Sequence, residues 1–380
     1  MHIVNIVGAR PNFVKMAPLI HAMLRRPGLT PTLVHTGQHY DQAMSEQFFQ
    51  DLEIRPPDFN LGVGSGTHAL QTGQVMQRLD PILESLKPDM VLVVGDVNST
   101  LAAAITAVKR GILVAHVEAG LRSFDRSMPE EINRILTDAV SDFLFVTEDS
   151  GRVNLLKEGV DPAKIHFVGN VMIDALQNSR RRWERSPIFD TLGLGPSSSY
   201  AVLTLHRPSN VDDTGRLASF VDALETLARH IPIIFPVHPR VKQQLTRRGH
   251  LGVAQADSYG RCHEKGITYI DPLGYLDFVA LVSRARLVLT DSGGIQEEAT
   301  ILGIPCLTLR DTTERPVTVT HGTNRIIGSD PNRILDESLK TLGQPLGPNT
   351  APPLWDGRAA ERIVDILDEY RLQSQGMTPA

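Results

Sequence analysis

The chain has 380 residues, of which 41% are hydrophobic, enough to fill more than one core, and its 38 Lys+Arg against 43 Asp+Glu give a formal net charge of -5. That length predicts two domains rather than one α/β layer unit, and the charge balance removes any general electrostatic attraction for nucleic acid or an anionic membrane surface. Any anion must therefore be held by a local site.

The first segment, MHIVNIVGARP (1–11), carries a short apolar run without a basic leader and passes into a Gly-Arg-Pro turn rather than a small-residue cleavage site. No segment approaches the ~20 apolar residues that span a bilayer. Cys262 and Cys306 are the only cysteines, too far apart for a disulfide framework or a zinc site. With no HExxH spacing either, no bound metal is expected, and the expected setting is reduced and cytoplasmic.

Along the chain, short apolar runs alternate with stretches of helical periodicity: HIVNIV, TLVHTG, MVLVVGD, ILVAHVE and FLFVTE, then YAVLTLH, IIFPVHP, ITYID, LVLTD and PCLTL. This alternation predicts βαβ units on parallel sheets. The series restarts after about residue 170, which predicts two sheets. Between them lie VGNVMID (168–174), a charged helix and the loop GLGPSSS (193–199), where a boundary can fall. Arg180, Arg181, Arg182 and Arg185, interleaved with Glu184, read as a solvated helix face. GRAAERIVDILDEYRL (357–372) reads as a helix.

The turn after the first run, VGARP (7–11), has one glycine and not the GxGxxG of a dinucleotide site. Arg10 projects from it and Lys15 lies five residues on, so both can face a phosphate or sugar, although Lys15 also reads as a surface charge. Three acidic segments follow: GDVNST (95–100), HVEAGLRS (116–123) and MPEEINR (128–134). Asp96 and Glu118 each follow a strand-like run, and the carboxyl ends of parallel strands border the ligand crevice. They and Glu130 are candidates for acid/base chemistry. Each has a plainer reading. Asp96 can cap the helix beginning near Asn98-Ser99, Glu118 can pair with Arg122, and Glu130 with Ser127 and Pro129 has capping-box spacing. Capping does not readily explain three carboxylates on one edge.

In the second half, His206 and His238 each follow a strand-like run, beside Arg207 and Arg240, and together make a cationic rim suited to a diphosphate. LVLTD (287–291), the turn Ser292-Gly293-Gly294 and the helix IQEEATILG form a strand, glycine turn and helix start that present free N–H groups to phosphate. The alternative is a simple N-cap by Ser292. Glu298, a turn further along, is placed to accept hydrogen bonds from ribose hydroxyls. Its plainer reading is a surface carboxylate, a role for which Glu297 has the better claim.

Taken in order, GARPNFVK (8–15), TGQH (36–39), GDVNST, HVEAGLRS, PEEINR, LTLHRP, HPR, DSGGIQEE, TERP (313–316) and GTN (322–324) resemble the non-hydrolysing UDP-N-acetylglucosamine 2-epimerase family over most of the chain. The resemblance implies an α/β fold of GT-B type, with two Rossmann-like parallel-sheet domains facing a central cleft. Residues 1–170 would carry the catalytic carboxylates, with a C-terminal helix at 361–375 packing back on them, and 171–360 would bind UDP. The implied reaction is reversible inversion at C2 of UDP-GlcNAc to give UDP-ManNAc, through loss of UDP, 2-acetamidoglucal and re-addition, with no cofactor. By matching position, Asp96 and Glu118 resemble the proton-transfer pair and Glu130 a further essential carboxylate. Arg10, His206, Ser292 and Arg315 match positions that hold the diphosphate, and Glu298 matches the ribose ligand. His206 is also placed among the catalytic candidates, and Lys15, Arg134, His238, Gly293 and Gly294 among the substrate-binding ones. The expected partner is the UDP-sugar, and the resemblance suggests a homodimer.

The chain departs from the family pattern at Pro208-Ser209-Asn210, where many members carry Arg-Glu-Asn, and this counts against activation by a second UDP-GlcNAc. LGVGSGTHALQTG (61–73) is similar to relatives that epimerise UDP-2,3-diacetamido-2,3-dideoxyglucuronic acid, whereas TERP favours the GlcNAc type. The competing functions are a GT-B glycosyltransferase, which needs one base and an acceptor groove, a catalytically silent sugar-nucleotide sensor, and a hydrolysing epimerase.

Overall fold

Strands buried on both faces of a parallel sheet read as unbroken apolar runs rather than alternating ones, and the longest runs in this chain become central strands. A computed structural model of the chain describes residues 1–37, 49–211, 214–237, 239–247, 262, 266–345 and 350–376. The chain divides into two units, Met1–Asn178 with Pro353–Ala380, and Ser179–Pro352.

The first unit holds β1 (His2–Val7), β2 (Thr30–His35), β3 (Phe59–Asn60), β4 (Met90–Val94), β5 (Leu113–Ala119), β6 (Phe143–Val146) and β7 (Ile165–Phe167), in the order β3-β2-β1-β4-β5-β6-β7. All neighbours are parallel. Val91, Leu92 and Val93 of β4 are fully buried. The strand order reverses between β1 and β4, which makes their carboxyl ends the topological switch point where ligands bind in such sheets. The turns Gly8-Ala9 and Gly95-Asp96 flank it.

The second unit repeats the plan with β8 (Ala201–Thr204), β9 (Ile233–Pro236), β10 (Ile267–Ile270), β11 (Leu287–Thr290), β12 (Cys306–Thr308) and β13 (Asn324–Ile326), ordered β10-β9-β8-β11-β12-β13 and again all parallel. Leu203, Phe220, Leu224, Phe235 and Leu289 are part of its core. Its switch point lies between β8 and β11, so His206-Arg207 and Asp291-Ser292-Gly293 leave the sheet side by side.

The division falls after Asn178 rather than at residue 170 or in the loop 193–199. The reason is local hydrogen bonding. Asp174, on the helix Val171–Asn178, accepts from the backbone amides of Ala359 and Ala360 at 3.1 and 2.7 Å, and so caps the C-terminal helix Ala359–Ser374. The Trp355 indole donates to the Thr147 carbonyl at 3.0 Å, and Arg362 donates to that of Val168 at 3.1 Å. Ile363, Val364 and Leu367 are buried on the same helix. Gly193, in the left-handed region at φ 67, ends a short helix inside the second unit. Among the described residues no helix is long and apolar enough to cross a membrane.

Candidate functional site

In the first unit, β5 carries a bulge between Val117 and Ala119, and Glu118 sits within it at φ 74. A non-glycine residue held in the left-handed region costs roughly 1–3 kcal/mol and persists where the surroundings over-determine it. A bulge also re-aims a side chain. Glu118 is only 2% exposed. Its Oε2 accepts from the ammonium of Lys15, while Oε1 is buried and has no hydrogen-bond partner among the described residues. Lys15 is thus not the surface charge it resembled in the sequence, and Glu118 pairs with Lys15 rather than with Arg122. Arg122 instead reaches Asp138 at 2.7 Å and Glu158 at 2.7 Å. Asn12 ties the two turns at the switch point together, with Oδ1 accepting from the Ala9 amide at 3.0 Å and Nδ2 donating to the Val94 carbonyl at 2.8 Å. Arg10 opens the helix Arg10–Leu24 directly after this turn.

Asp96 follows β4 and keeps 25% of its side chain exposed. The helix after it, Asn98–Lys109, has Val97 rather than Asp96 at its N-cap. Its carboxylate is held by the Arg134 guanidinium, and its carbonyl accepts from Asn133 Nδ2 at 2.9 Å. Both partners lie on the helix Pro129–Val140, whose N-cap is Met128 with no side-chain cap bond. The capping box expected from Ser127 and Glu130 is therefore absent. Glu130 stands half-buried in the first turn.

That helix turns a polar stripe inward. Glu130, Asn133, Arg134, Thr137 and Asp138 follow the i, i+3, i+4, i+7, i+8 spacing of one helix face, and the last four of these are buried. Glu131, also buried, accepts from the amides of Ser123 and Phe124 at 3.0 and 2.9 Å and from Arg134 at 2.7 Å. Burial pushes its carboxyl up, but these donors outweigh burial and hold it below the usual range. Arg134, a candidate for substrate binding, is therefore engaged by Asp96 and Glu131. Glu131, Asn133 and Asp138 had no functional reading in the sequence, although their spacing was visible there.

In the second unit, His206 follows β8 and keeps 45% of its side chain exposed, with Nδ1 2.7 Å from Asp291 Oδ1. Asp291 is fully buried and also accepts from the Arg207 amide at 2.9 Å and from Asn210 at 3.1 Å. Burial raises its carboxyl, but the bonds and charge of His206 and the backbone donors prevail and keep it ionised below the usual range. The helix Gly293–Leu302 starts at Ser292, whose hydroxyl makes no cap bond, so the simple capping reading fails. A Cβ on Gly293 would lie 2.8 Å from Cζ of Arg315. The glycine is required because that guanidinium packs on the turn. Arg315 is fixed there by Glu297 at 2.6 Å and Glu314 at 2.7 Å, and Glu314 also binds Arg310 at 2.8 Å.

Glu297 and Glu298 are both buried, not surface carboxylates. Burial raises Glu298 to about 8, and its Oε1 has no hydrogen-bond partner among the described residues. The Tyr275 hydroxyl stands close enough to interact, although the pair falls short of strict hydrogen-bond geometry. His238 and part of the TGQH segment lie outside the described residues. Among those described, no group of three or more His, Cys, Asp or Glu is placed to hold a metal ion.

A family model described as UDP-N-acetylglucosamine 2-epimerase matches residues 21–368. A UDP-N-acetylglucosamine 2-epimerase of Methanococcus maripaludis is 41% identical over 366 residues, covering 95% of this chain and 97% of the relative. A UDP-2,3-diacetamido-2,3-dideoxy-D-glucuronate 2-epimerase of Pseudomonas aeruginosa is 41% identical over 370 residues, covering 97% of this chain and 99% of the relative. Among solved structures, the UDP-GlcNAc 2-epimerase of Methanocaldococcus jannaschii in complex with UDP-GlcNAc and UDP matches with a TM-score of 0.88 at 40% identity, covering 97% of this chain and 99% of that one.

Proposed function

Because this chain belongs to the UDP-N-acetylglucosamine 2-epimerase family, a family of isomerases, we propose that it reversibly inverts C2 of UDP-N-acetylglucosamine to give UDP-N-acetylmannosamine. The observation that carries this reading is Glu118, a carboxylate with one oxygen on Lys15 and the other buried with no partner among the described residues. Such a group has a lone pair available for a proton.

The proton at C2 is not acidic beside an ordinary acetal carbon. As the C1–O bond to UDP breaks, oxocarbenium character at C1 acidifies it. A carboxylate takes that proton, the C–H electron pair becomes the C1–C2 double bond of 2-acetamidoglucal, and the C1–O pair leaves with UDP. Return of a proton to the opposite face of C2 and re-addition of the UDP oxygen to C1 complete the inversion. Asp96 and Glu118 are the proton-transfer groups in this scheme, with Glu130 as a further carboxylate. The second unit holds UDP while it is unbonded, through the helix start at Ser292-Gly293-Gly294, Arg315 and His206. Glu298 receives the ribose.

UDP-2,3-diacetamido-2,3-dideoxyglucuronate is the alternative substrate. Its support is that the Pseudomonas aeruginosa enzyme named for it is 41% identical to this chain, no less than the Methanococcus maripaludis enzyme.

The test is an NMR time course in deuterated water with each UDP-sugar. Deuterium at C2 of an intact epimeric UDP-sugar is the expected outcome, and the faster substrate is the physiological class. Free N-acetylmannosamine would point instead to a hydrolysing enzyme. Asp96→Asn and Glu118→Gln should each slow C2 exchange by about 10²–10⁴-fold. Near-normal exchange in both variants would remove these residues from the mechanism.

A further inference from the structure

We infer that His116 is a positioning residue for Asp96, fixing the Gly95–Asp96 peptide at the carboxyl end of β4 in series with Asp138. This rests on the proposed role of Asp96 in proton transfer.

His116 lies within β5 and is fully buried. Its Nδ1 is 2.7 Å from Asp138 Oδ1 and its Nε2 is 2.8 Å from the Gly95 carbonyl oxygen. Both neighbours are acceptors: a backbone carbonyl can only accept, and Asp138 is held below the usual carboxylate range, where burial opposes this but His116 and Arg122 outweigh it. Both ring nitrogens therefore donate, and the ring is bracketed by a carboxylate and a backbone carbonyl. The ring is also braced from behind. Asp138 accepts from the Gly120 amide at 3.0 Å and from Arg122 at 2.7 Å, and Arg122 in turn binds Glu158.

The carbonyl His116 grips belongs to the peptide that sets the direction of Asp96. Gly95 turns at φ 69, and its amide donates to the Val117 carbonyl at 3.0 Å. Strand β5 thus holds Gly95 by its N–H through Val117 and by its C=O through His116. The next residue is held by the helix Pro129–Val140, with Asn133 on the Asp96 carbonyl and Arg134 on its carboxylate. Asp138, on that same helix, orients His116. A histidine serving only to fill the core needs one acceptor at most. Here the second N–H is committed to the turn that delivers the carboxylate. A displacement of about 1 Å in a reacting group can cost about 100-fold in rate.

Two isosteres separate the halves of this clamp. In His116→Asn the amide nitrogen takes the place of Nδ1, which keeps Asp138 and releases Gly95. In His116→Gln it takes the place of Nε2, which keeps Gly95 and releases Asp138. With UDP-N-acetylglucosamine or the diacetamido-uronate, whichever the enzyme turns over, kcat of His116→Asn should fall about 30- to 100-fold with KM changed about twofold or less. His116→Gln should recover most of that loss. A kcat for His116→Asn within about threefold of the parent, or equal losses in the two variants, would overturn the inference. A second readout needs no turnover. The ¹⁵N–¹H resonance of the Asp96 amide, which shares its peptide with the Gly95 carbonyl, should shift in His116→Asn and return toward its parent position in His116→Gln. An Asp96 resonance unmoved in His116→Asn also overturns the inference. Absence of C2 exchange in the parent protein with both sugars would instead defeat the proposed function.

Discussion

His206 and Asp291 form a dyad across the switch point of the second sheet, with Nδ1 of the ring 2.7 Å from a carboxylate that is itself fully buried. The carboxylate fixes the ring orientation and keeps the proton on Nδ1, so Nε2 is presented outward from a half-exposed side chain.

Asp291→Asn should therefore lower kcat/KM about 10²–10⁴-fold, because an amide can offer its own N–H to Nδ1 and select the other tautomer, as happens in Ser-His-Asp triads. The fold should survive, since an amide oxygen can still accept from the Arg207 amide. Steady-state kinetics decides the matter, with circular dichroism as the control, and a loss below tenfold would mean that the dyad is structural.

Gly293→Ala should weaken UDP binding about 10- to 100-fold, the equivalent of the 1–3 kcal/mol typical of overpacking. The added methyl meets the Arg315 guanidinium, which cannot withdraw without breaking its ion pairs with Glu297 and Glu314. Calorimetric titration with UDP gives the affinity directly. An unchanged affinity would show that Arg315 relaxes freely.

Asp174 gives stability a pH dependence. Burial is the main cause of its rise from the ordinary 3.8 to about 6. Between those values the folded state keeps a proton that the unfolded chain has lost, so its contribution to stability is complete below pH 4 and declines as pH rises to about 6. A single group contributes at most about 1.4 kcal/mol per pH unit across that window. Asp174→Asn retains an oxygen to cap the helix Ala359–Ser374 and should flatten this part of the curve. Urea midpoints from pH 4 to 7.5 compare the two proteins, and identical slopes would refute the assignment.

How legible these features were depended on burial. β4 and β11 were plain in the sequence because MVLVV is apolar throughout and LVLT is apolar up to its last residue, Thr290. β3, β7 and β13 were not, being edge strands of two or three residues, and Phe59–Asn60 is exposed. Asp96 and Glu118 could be found because each follows or ends a readable strand. His116 was hidden because it interrupts an apolar run, and Asp138 because an inward polar stripe inverts the usual hydrophobic periodicity of a helix. Glu297 was misread as a surface group, the plainer alternative for Glu298 as well, because charge ordinarily marks the exposed face. Here the helix Gly293–Leu302 buries Gln296, Glu297 and Glu298 in succession.

The helix Ala359–Ser374 is made after the whole of the second unit and yet belongs to the first. On the ribosome, which releases the chain from its N-terminus at about 5–20 residues per second, Ser179–Pro352 has emerged before the first unit acquires its final helix. Until then the partners of Ile363, Val364 and Leu367 stand open and the Asp174 carboxylate has no helix to cap. The first unit is therefore the last to mature during synthesis, and the window in which a nascent chain is vulnerable to aggregation or proteolysis closes only when the 353–376 segment docks.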